Sequence, residues 1–584
     1  MARTFGGSRL LTVSSEVTRT AWRALLWTGA AVVGACWLVY LWEITLTVPA
    51  GLDLFDFANN LLYAQDMLHG NWLLHGWVVT QDPHWLTDDM MYVAGLAVRG
   101  FDPGLLHLEP MLVYVILIVF AASVSVVGLE LRGSEHLVIA GIALLPLVFP
   151  SRALASQVLI GPYHTGTTAA ALGAILALRA SAGRTGVAAA AGLMAAWILL
   201  TIGRVGDPYM LTLGILPLIL AWLYACLARP GTGREGWSAV PLCIALAAWA
   251  AAVGVLWVVP RLGGFTMRLS LSDIIPLSEL VPRVVDFTRT CLDLAGANFF
   301  GMSLGSHHEQ LLFTLVRFGY LCAVVWAIAR AVAQAAGGVL KDWVSAVVAA
   351  AVLLSGAGSF LYAPGDYLGD EHRTPAFILS SIVLARVVAT GYGWWLTEPR
   401  RKRALGAVLA VCAVAFVFGT PPIQLHDTQG FDNPQRFPQL ALARWLEQQG
   451  FWYGYGDYNT ASIVTVETRG RVVVRALIST GAYTSLPDSA TRLEPNIELM
   501  ANNAWFDTAH PATFVIVDEI HLSEPIARRT FGEPDQVYTV SDFRVLTYHS
   551  GILCTLPPLS PAVNAAEAAG VPPAGALCRR LISN

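Results

Sequence analysis

The chain has 584 residues, 55% hydrophobic and 13% charged, with a net charge of −4 and a mean hydropathy of +0.57. Ordinary soluble chains carry about 25% charged residues, so a soluble globular protein is excluded. No basic tract is present, which excludes nucleic acid as a partner.

Residues 1–23 are polar and carry Arg3, Arg9, Arg19 and Arg23 ahead of a long apolar run. No small-residue cleavage site closes that run early, so it reads as an anchor behind a cytoplasmic N-terminal segment and not as a cleavable signal peptide. A spanning helix needs about 20 mostly apolar residues. Such segments fall at 24–43, 110–129, 136–150, 164–180, 186–203, 209–228, 239–260, 310–332, 343–362, 375–396 and 404–420. The third is short and contains Pro146 and Pro150, so a broken or re-entrant segment is expected there. The fold class this predicts is an α-helical polytopic membrane protein, with about 11 transmembrane helices over 24–420.

Flanking charge sets orientation. With the N-terminus in the cytoplasm, the inner loops hold Arg132, Arg179, Arg184, Arg229, Arg234, Lys341 and the cluster Arg400, Arg401, Lys402 and Arg403. The outer loops are then 44–109, 151–163, 204–208, 261–309 and 363–374, and the tail after Thr420 lies outside. Cys36, Cys226, Cys243, Cys322 and Cys412 fall in apolar segments and read as small packing residues. Cys554 and Cys578 lie in the polar tail and can close a disulfide if that tail is extracytoplasmic.

From about 421 polar residues return. Apolar positions at helical spacing over 437–450, ended by Gly450, predict a helix. The β-branched runs 462–468 and 471–477 flank Arg469-Gly470 and read as strand, turn, strand; 513–519 and 543–549 are two more strand candidates. Residues 421–555 are therefore expected to form an extracytoplasmic α/β domain, followed by a loosely packed Pro/Ala-rich tail, 556–584. The aromatic run 451–461 offers Trp452, Tyr453, Tyr455 and Tyr458 for stacking on a sugar ring, but with Gly454 and Gly456 it reads rather as a Gly-rich turn.

The chemistry concentrates in the first outer loop. From Leu52 to Met91 it carries Asp53, Asp56, Asp66, Asp82, Asp88 and Asp89 with Trp72, Trp77 and Trp85, and no Lys or Arg. Residues 59–68 fit a surface helix ended by Gly70. A carboxylate at such a boundary serves as a general base towards an acceptor hydroxyl or holds a divalent cation such as Mg or Mn; the residues do not require a metal, and the cofactor stays open. Asp56 stands out because Leu54, Phe55 and Phe57 draw it towards an apolar surface.

An acidic residue after the first spanning helix, a surface helix and a Gly-Asn-Trp turn, DFANNLLYAQDMLHGNW over 56–72, resembles the opening of superfamily C (GT-C) glycosyltransferases, in particular bacterial aminoarabinose transferases and protein O-mannosyltransferases. The resemblance implies a GT-C-like domain over 24–420 and a polyprenyl-phosphate-linked sugar donor. It implies Asp56 as the base. Phe57 stands where a second acidic residue often follows, so either Asp53 substitutes or Asp56 acts alone, and the family's later acidic position falls near Asp88. A lipid phosphate needs cations: Arg373 and His372 in GDYLGDEHRT and Arg204 in GRVGDPY are the candidates, with Asp207, close to Arg204, a candidate substrate contact. Trp72 and Trp85 are candidate substrate contacts. The pair His307-His308 does not by itself define a metal site.

No Walker loop, dinucleotide fingerprint, CxxC pair or GxSxG elbow is present. The expected function is transfer of a sugar from a polyprenyl-phosphate carrier to an extracytoplasmic glycolipid, cell-wall polysaccharide or protein, in a bacterial cytoplasmic membrane and among its lipids. The alternatives are a lipid-linked sugar flippase or a non-catalytic envelope assembly protein. Transporters hold ionisable groups inside their helices, and the spans here read as almost free of buried charge.

Overall fold

The structure is a computed structural model that describes residues 31–46, 54–129, 140–161, 163–227, 239–267, 273–300, 308–338, 342–363, 370–391, 437–480, 491–497, 500–507, 510–518, 520–556 and 577–581, with short stretches near 28, 340 and 407–417. Asp53, His307 and the basic cluster at 400–403 lie outside the described residues, as do the side chains of His308 and Glu309.

Among the described residues, six helices are long and apolar enough to cross a membrane. They are α4 (Leu105–Val126), α6 (Gly186–Gly206), α8 (Val240–Arg261), α10 (His308–Ala336), α11 (Trp343–Leu361) and α12 (Thr374–Gly391). Shorter apolar helices, α1 (Ala31–Leu46) and α7 (Leu211–Leu227), and the 17-residue α5 (Thr165–Ser181) join them in the bundle. The expected count of about eleven spans is not confirmed among the described residues, and the third candidate is broken, as its prolines lead one to expect. In the segment 136–150, residues 140–143 are helical and a turn at Leu144 separates them from a short helix, Leu145–Val148, before the chain turns through Arg152–Ala155 and the π-helical Ser156–Ile160. Pro150 has no N–H to donate and disfavours helix at Phe149. The segment 404–420 lies largely outside the described residues.

The bundle packs through small residues. A Cβ on Gly173 would sit 3.0 Å from the Phe120 ring, and one on Gly192 3.0 Å from the Ala177 carbonyl. Such close approach drives association where lipid removes the hydrophobic incentive. Val119, Ile198, Trp249, Trp257, Leu315 and Trp326 remain exposed on spanning helices, as lipid-facing positions should. The expectation of nearly charge-free spans is corrected: Arg317 and Arg386 are both buried inside the bundle. Arg386 pairs with Asp342, and Arg317 donates to the Phe416 carbonyl at 3.3 Å. An arginine cannot shed its charge, so each is held by an acceptor.

The loops expected on one side of the membrane do gather at one end of the bundle. There α2 (Leu54–Leu68) precedes the strand β1 (Trp77–Val79) and α3 (Asp88–Arg99). β1 pairs in parallel with β2 (Thr266–Met267), from the loop after α8, and antiparallel with β6 (Ala501–Asn502). Segments more than 400 residues apart in sequence are thus stitched into one small sheet. A further helix, α9 (Leu280–Ala295), lies beside the turn that opens α12.

The C-terminal domain is an α/β unit, as expected, but two of its elements differ. The run 462–468, read as a strand, lies within a helix, α14 (Tyr458–Glu467). Asp457 caps it, accepting from the Asn459 N–H at 2.7 Å, and the β-branched residues serve as its buried face. The glycine-rich run is not a turn but the strand β3 (Tyr453–Gly456). Gly454 pairs with Phe514, and a Cβ there would lie 2.3 Å from the Phe514 ring, so a strand in this place needs glycine. α13 (Pro438–Gln449) forms as predicted and stops on Gly450 at φ 75°.

The sheet has seven strands in the order β8 (Gln536–Val540), β9 (Phe543–Thr555), β7 (Ala512–Val517), β3, β4 (Val473–Ser479), β5 (Leu493–Pro495), with β10 (Leu577–Arg580) against β9. β3 runs parallel to both β4 and β7. Cys554 and Cys578 are bonded, joining β9 to β10. The end of the chain therefore adds a strand to the sheet, while 557–576 lies outside the described residues.

Candidate active site

Asp56 sits in the first turn of α2, half-buried. The helix forms because Phe57, Ala58, Leu61, Leu62, Ala64 and Met67 make a buried face, and it ends near Gly70, at φ 105°. The Asp56 carboxylate accepts from two tyrosines. Tyr163, just before α5, donates to Oδ2 at 3.0 Å, and Tyr458, the first residue of α14, donates to Oδ1 at 2.5 Å. One turn further on, Ser462 donates to Asn59 Oδ1 at 2.5 Å. The steps from Asp56 to Asn59 and from Tyr458 to Ser462 are one helical turn each, so the two helices meet along matched faces. The C-terminal domain is thereby part of the wall around Asp56.

Beyond Tyr63 lies a second group of titratable residues. Tyr63 is fully buried, its hydroxyl has no hydrogen-bond partner, and burial raises its pKa, with Asp89, Asp56 and Asp82 adding to the shift. Asp56 and the later aspartates therefore flank one ring. His84, at φ 52°, is buried with its ring nitrogens 3.7 Å from Asp88 and 3.9 Å from Asp82. Burial works against its charge, but Asp88 and Asp82 outweigh it and raise the pKa to about 10. Asp88 lies against the start of α5: a Cβ on Gly166 would fall 2.3 Å from Asp88 Oδ2, so only glycine admits the carboxylate. Burial pushes Asp89 well above the ordinary carboxylate range; His84 opposes the shift and Asp88 adds to it.

A relay of rings completes the site. His164 Nδ1 is 2.8 Å from Asp207 Oδ2, and its Nε2 is 2.9 Å from His372 Nδ1. Tyr209 stacks on both imidazoles, with centroids 4.2 and 5.2 Å away. Asp207 is fully buried. Burial raises its pKa, but His164 and, less strongly, His84 outweigh it and hold the carboxyl below its usual range. The residues 204–208, 163–164 and 371–373 are thus brought together, and Tyr163 links them to Asp56.

The other sequence candidates are placed as follows. Arg204 ends α6, half-buried, and its Nε has no hydrogen-bond partner. Arg373 is buried, paired with Asp286 and Thr290 of α9 and lying over the Phe287 ring, with its Nε likewise unpartnered. Trp85 is buried against Phe265 and donates to the Trp72 carbonyl at 2.9 Å, while Trp72 itself is 49% exposed. Asp66 accepts from Trp77 and Asn71 at 2.7 and 2.6 Å and fixes the turn after α2. Tyr163, Tyr63, His84 and His164 are not singled out by the sequence, and Tyr458 is read there only as one of the aromatics of the run 451–461, with no tie to Asp56. His164 had been absorbed into an apolar span, and Tyr458 lies 402 residues from its partner.

The bundle of apolar helices with its α/β domain is a fold found in a solved structure. The chain matches the crystal structure of ArnT from Cupriavidus metallidurans bound to undecaprenyl phosphate, with a TM-score of 0.51 and 11% identity, over 89% of this chain and 98% of that one. The resemblance expected from the sequence is thus matched at the level of the fold alone. No protein-family model matches the chain, and neither does any curated protein sequence.

Proposed function

We propose that this protein is a membrane glycosyltransferase that takes a sugar from a polyprenyl-phosphate carrier and places it on an acceptor hydroxyl outside the cytoplasm. The observation that carries this reading is the Asp56 carboxylate, held by Tyr163 and Tyr458 between bundle and C-terminal domain, in a fold shared with a protein solved with undecaprenyl phosphate.

The reaction is a single displacement with inversion. The acceptor oxygen attacks the sugar C1, and Asp56 takes its proton. The C1–O bond to phosphate breaks, and polyprenyl phosphate leaves with the electron pair. The hydrogen bonds from Tyr163 and Tyr458 fix the plane of the Asp56 carboxylate for its encounter with the incoming hydroxyl. Negative charge grows on the leaving phosphate and needs preorganised donors. Arg204 and Arg373, each with an unpartnered Nε, and His372 are the groups assigned to it. Asp286 neutralises Arg373 in the structure, so Arg373 serves the phosphate by exchanging partners. Asp88 and His84 hold a compensated charge pair beside the site. Trp72 is the exposed aromatic available to a substrate. Charge bias around the spans supports an N-terminus in the cytoplasm and a C-terminal domain outside.

Purified protein incubated with radiolabelled polyprenyl-phosphate sugars and envelope acceptors tests this. Transfer by the wild type and none by Asp56→Asn is expected. Movement of intact lipid-linked sugar across vesicles, without transfer, identifies a flippase instead.

A further inference from the structure

A separate group of side chains converges on the C-terminal sheet, outside the site around Asp56. β3 ends at Gly456 and Asp457 follows; β7 ends at Val517 and Asp518 follows. The two strands are adjacent and parallel, so both carboxylates lie at the same edge of the sheet. From that edge the chain diverges. After β3 it runs through α14 to β4 on one side, and after β7 through α15 (Glu524–Phe531) to β8 and β9 on the other. Connections that leave in opposite directions open a crevice at the carboxyl ends of the strands, the place where open α/β sheets hold ligands. The turn after β7 adds His521.

One metal-ligating atom from each of Asp457, Asp518 and His521 lies within 4.8 Å of the others. Atoms bonded to one ion at about 2.0–2.3 Å are separated by no more than about 4.6 Å, so a small rearrangement suffices, in which the 2.5 Å contact between Asp518 and His521 opens to admit the ion. Asp457 supplies an independent sign of a ligand. It is 3% exposed, and its Oδ2 is used to cap α14, but its Oδ1 is buried with no hydrogen-bond partner. A buried carboxylate oxygen without a donor is costly unless a cation satisfies it. Asp518 is preorganised: Oδ1 accepts from the N–H groups of Ile520, His521 and Leu522 at 3.2, 2.8 and 3.0 Å, and Oδ2 lies 2.5 Å from His521 Nδ1.

We propose that Asp457, Asp518 and His521 form a binding site for a divalent transition-metal ion, zinc in the first instance. Two carboxylates balance a dication, and the imidazole favours zinc over calcium or magnesium, which take oxygen ligands. His521 is exposed, so the ion keeps positions open to water or to an anionic oxygen. The site stands one residue before Tyr458 and does not depend on the assignment of sugar transfer.

The test uses the full chain, purified in nanodiscs and stripped with chelator. Zinc is titrated calorimetrically, and bound metal is counted by mass spectrometry after gel filtration. One zinc per chain is expected, with Asp457→Asn and His521→Ala each weakening it by about tenfold or more. Asn caps a helix as well as Asp, so Asp457→Asn should keep its metal-free melting temperature. No stoichiometric zinc in the wild type, or equal affinity in both variants, overturns the site. Neither readout involves transfer.

Discussion

At the scale of single residues the site is built on charge compensation. Asp56 is the only carboxylate here gripped by two tyrosine hydroxyls, among the described residues. Tyr458→Phe and Tyr163→Phe each remove one hydrogen bond to a charged group, worth about 1.5–3 kcal/mol. Each is expected to lower the transfer rate about tenfold or more while carrier affinity stays near wild type, measured by single-turnover kinetics beside carrier binding. His84 gives a pH signature. Its pKa is raised from 6.5 to about 10 in the folded protein, so its contribution to stability is complete below pH 6.5 and is lost as the pH climbs towards 10. Melting temperatures between pH 7 and 10 should fall more steeply for the wild type than for His84→Gln; parallel curves would refute the pairing with Asp88 and Asp82. Asp56 and Asp88 were legible as candidates because an acidic loop between apolar spans is a local pattern. The contact of Tyr458 with Asp56 was not, since no periodicity connects positions 402 residues apart.

At the scale of elements, the spans and α2 follow from local runs of apolar residues, and the sequence shows them well. The failures arose where tertiary context outweighed propensity. SIVTVE is β-branched, yet it lies in a helix because it forms the crossover between the parallel strands β3 and β4, with a cap on Asp457. YGYG is a strand because the Phe514 ring occupies the space that a side chain at Gly454 would need. Gly454→Val is therefore expected to destabilise the C-terminal domain by about 1–3 kcal/mol, read as faster limited proteolysis of that domain with the bundle intact. The α2–α14 contact has its own test. Asn59→Cys with Ser462→Cys should crosslink on mild oxidation, since the native side chains touch at 2.5 Å; an absence of crosslinked peptide would show that the domain sits elsewhere.

At the scale of the whole molecule, the loops between spans, though scattered along the chain, converge on one end of the bundle and are closed over by the C-terminal domain. The composition made a polytopic membrane protein plain, but it did not reveal Arg317 and Arg386 inside the bundle, because their acceptors come from distant segments. Buried charge within spans weakens the composition-based argument against a transporter, so chemistry has to separate the readings. The most direct measurement follows the release of free polyprenyl phosphate from a radiolabelled polyprenyl-phosphate sugar in nanodiscs supplied with envelope acceptors, for wild type and Asp56→Asn. General-base catalysis predicts time-dependent release by the wild type and a rate about 10²–10⁴-fold lower for Asp56→Asn, with the carrier still bound. Undiminished release by Asp56→Asn, or transport of the lipid-linked sugar with its C1–O–phosphate bond intact, would contradict the account.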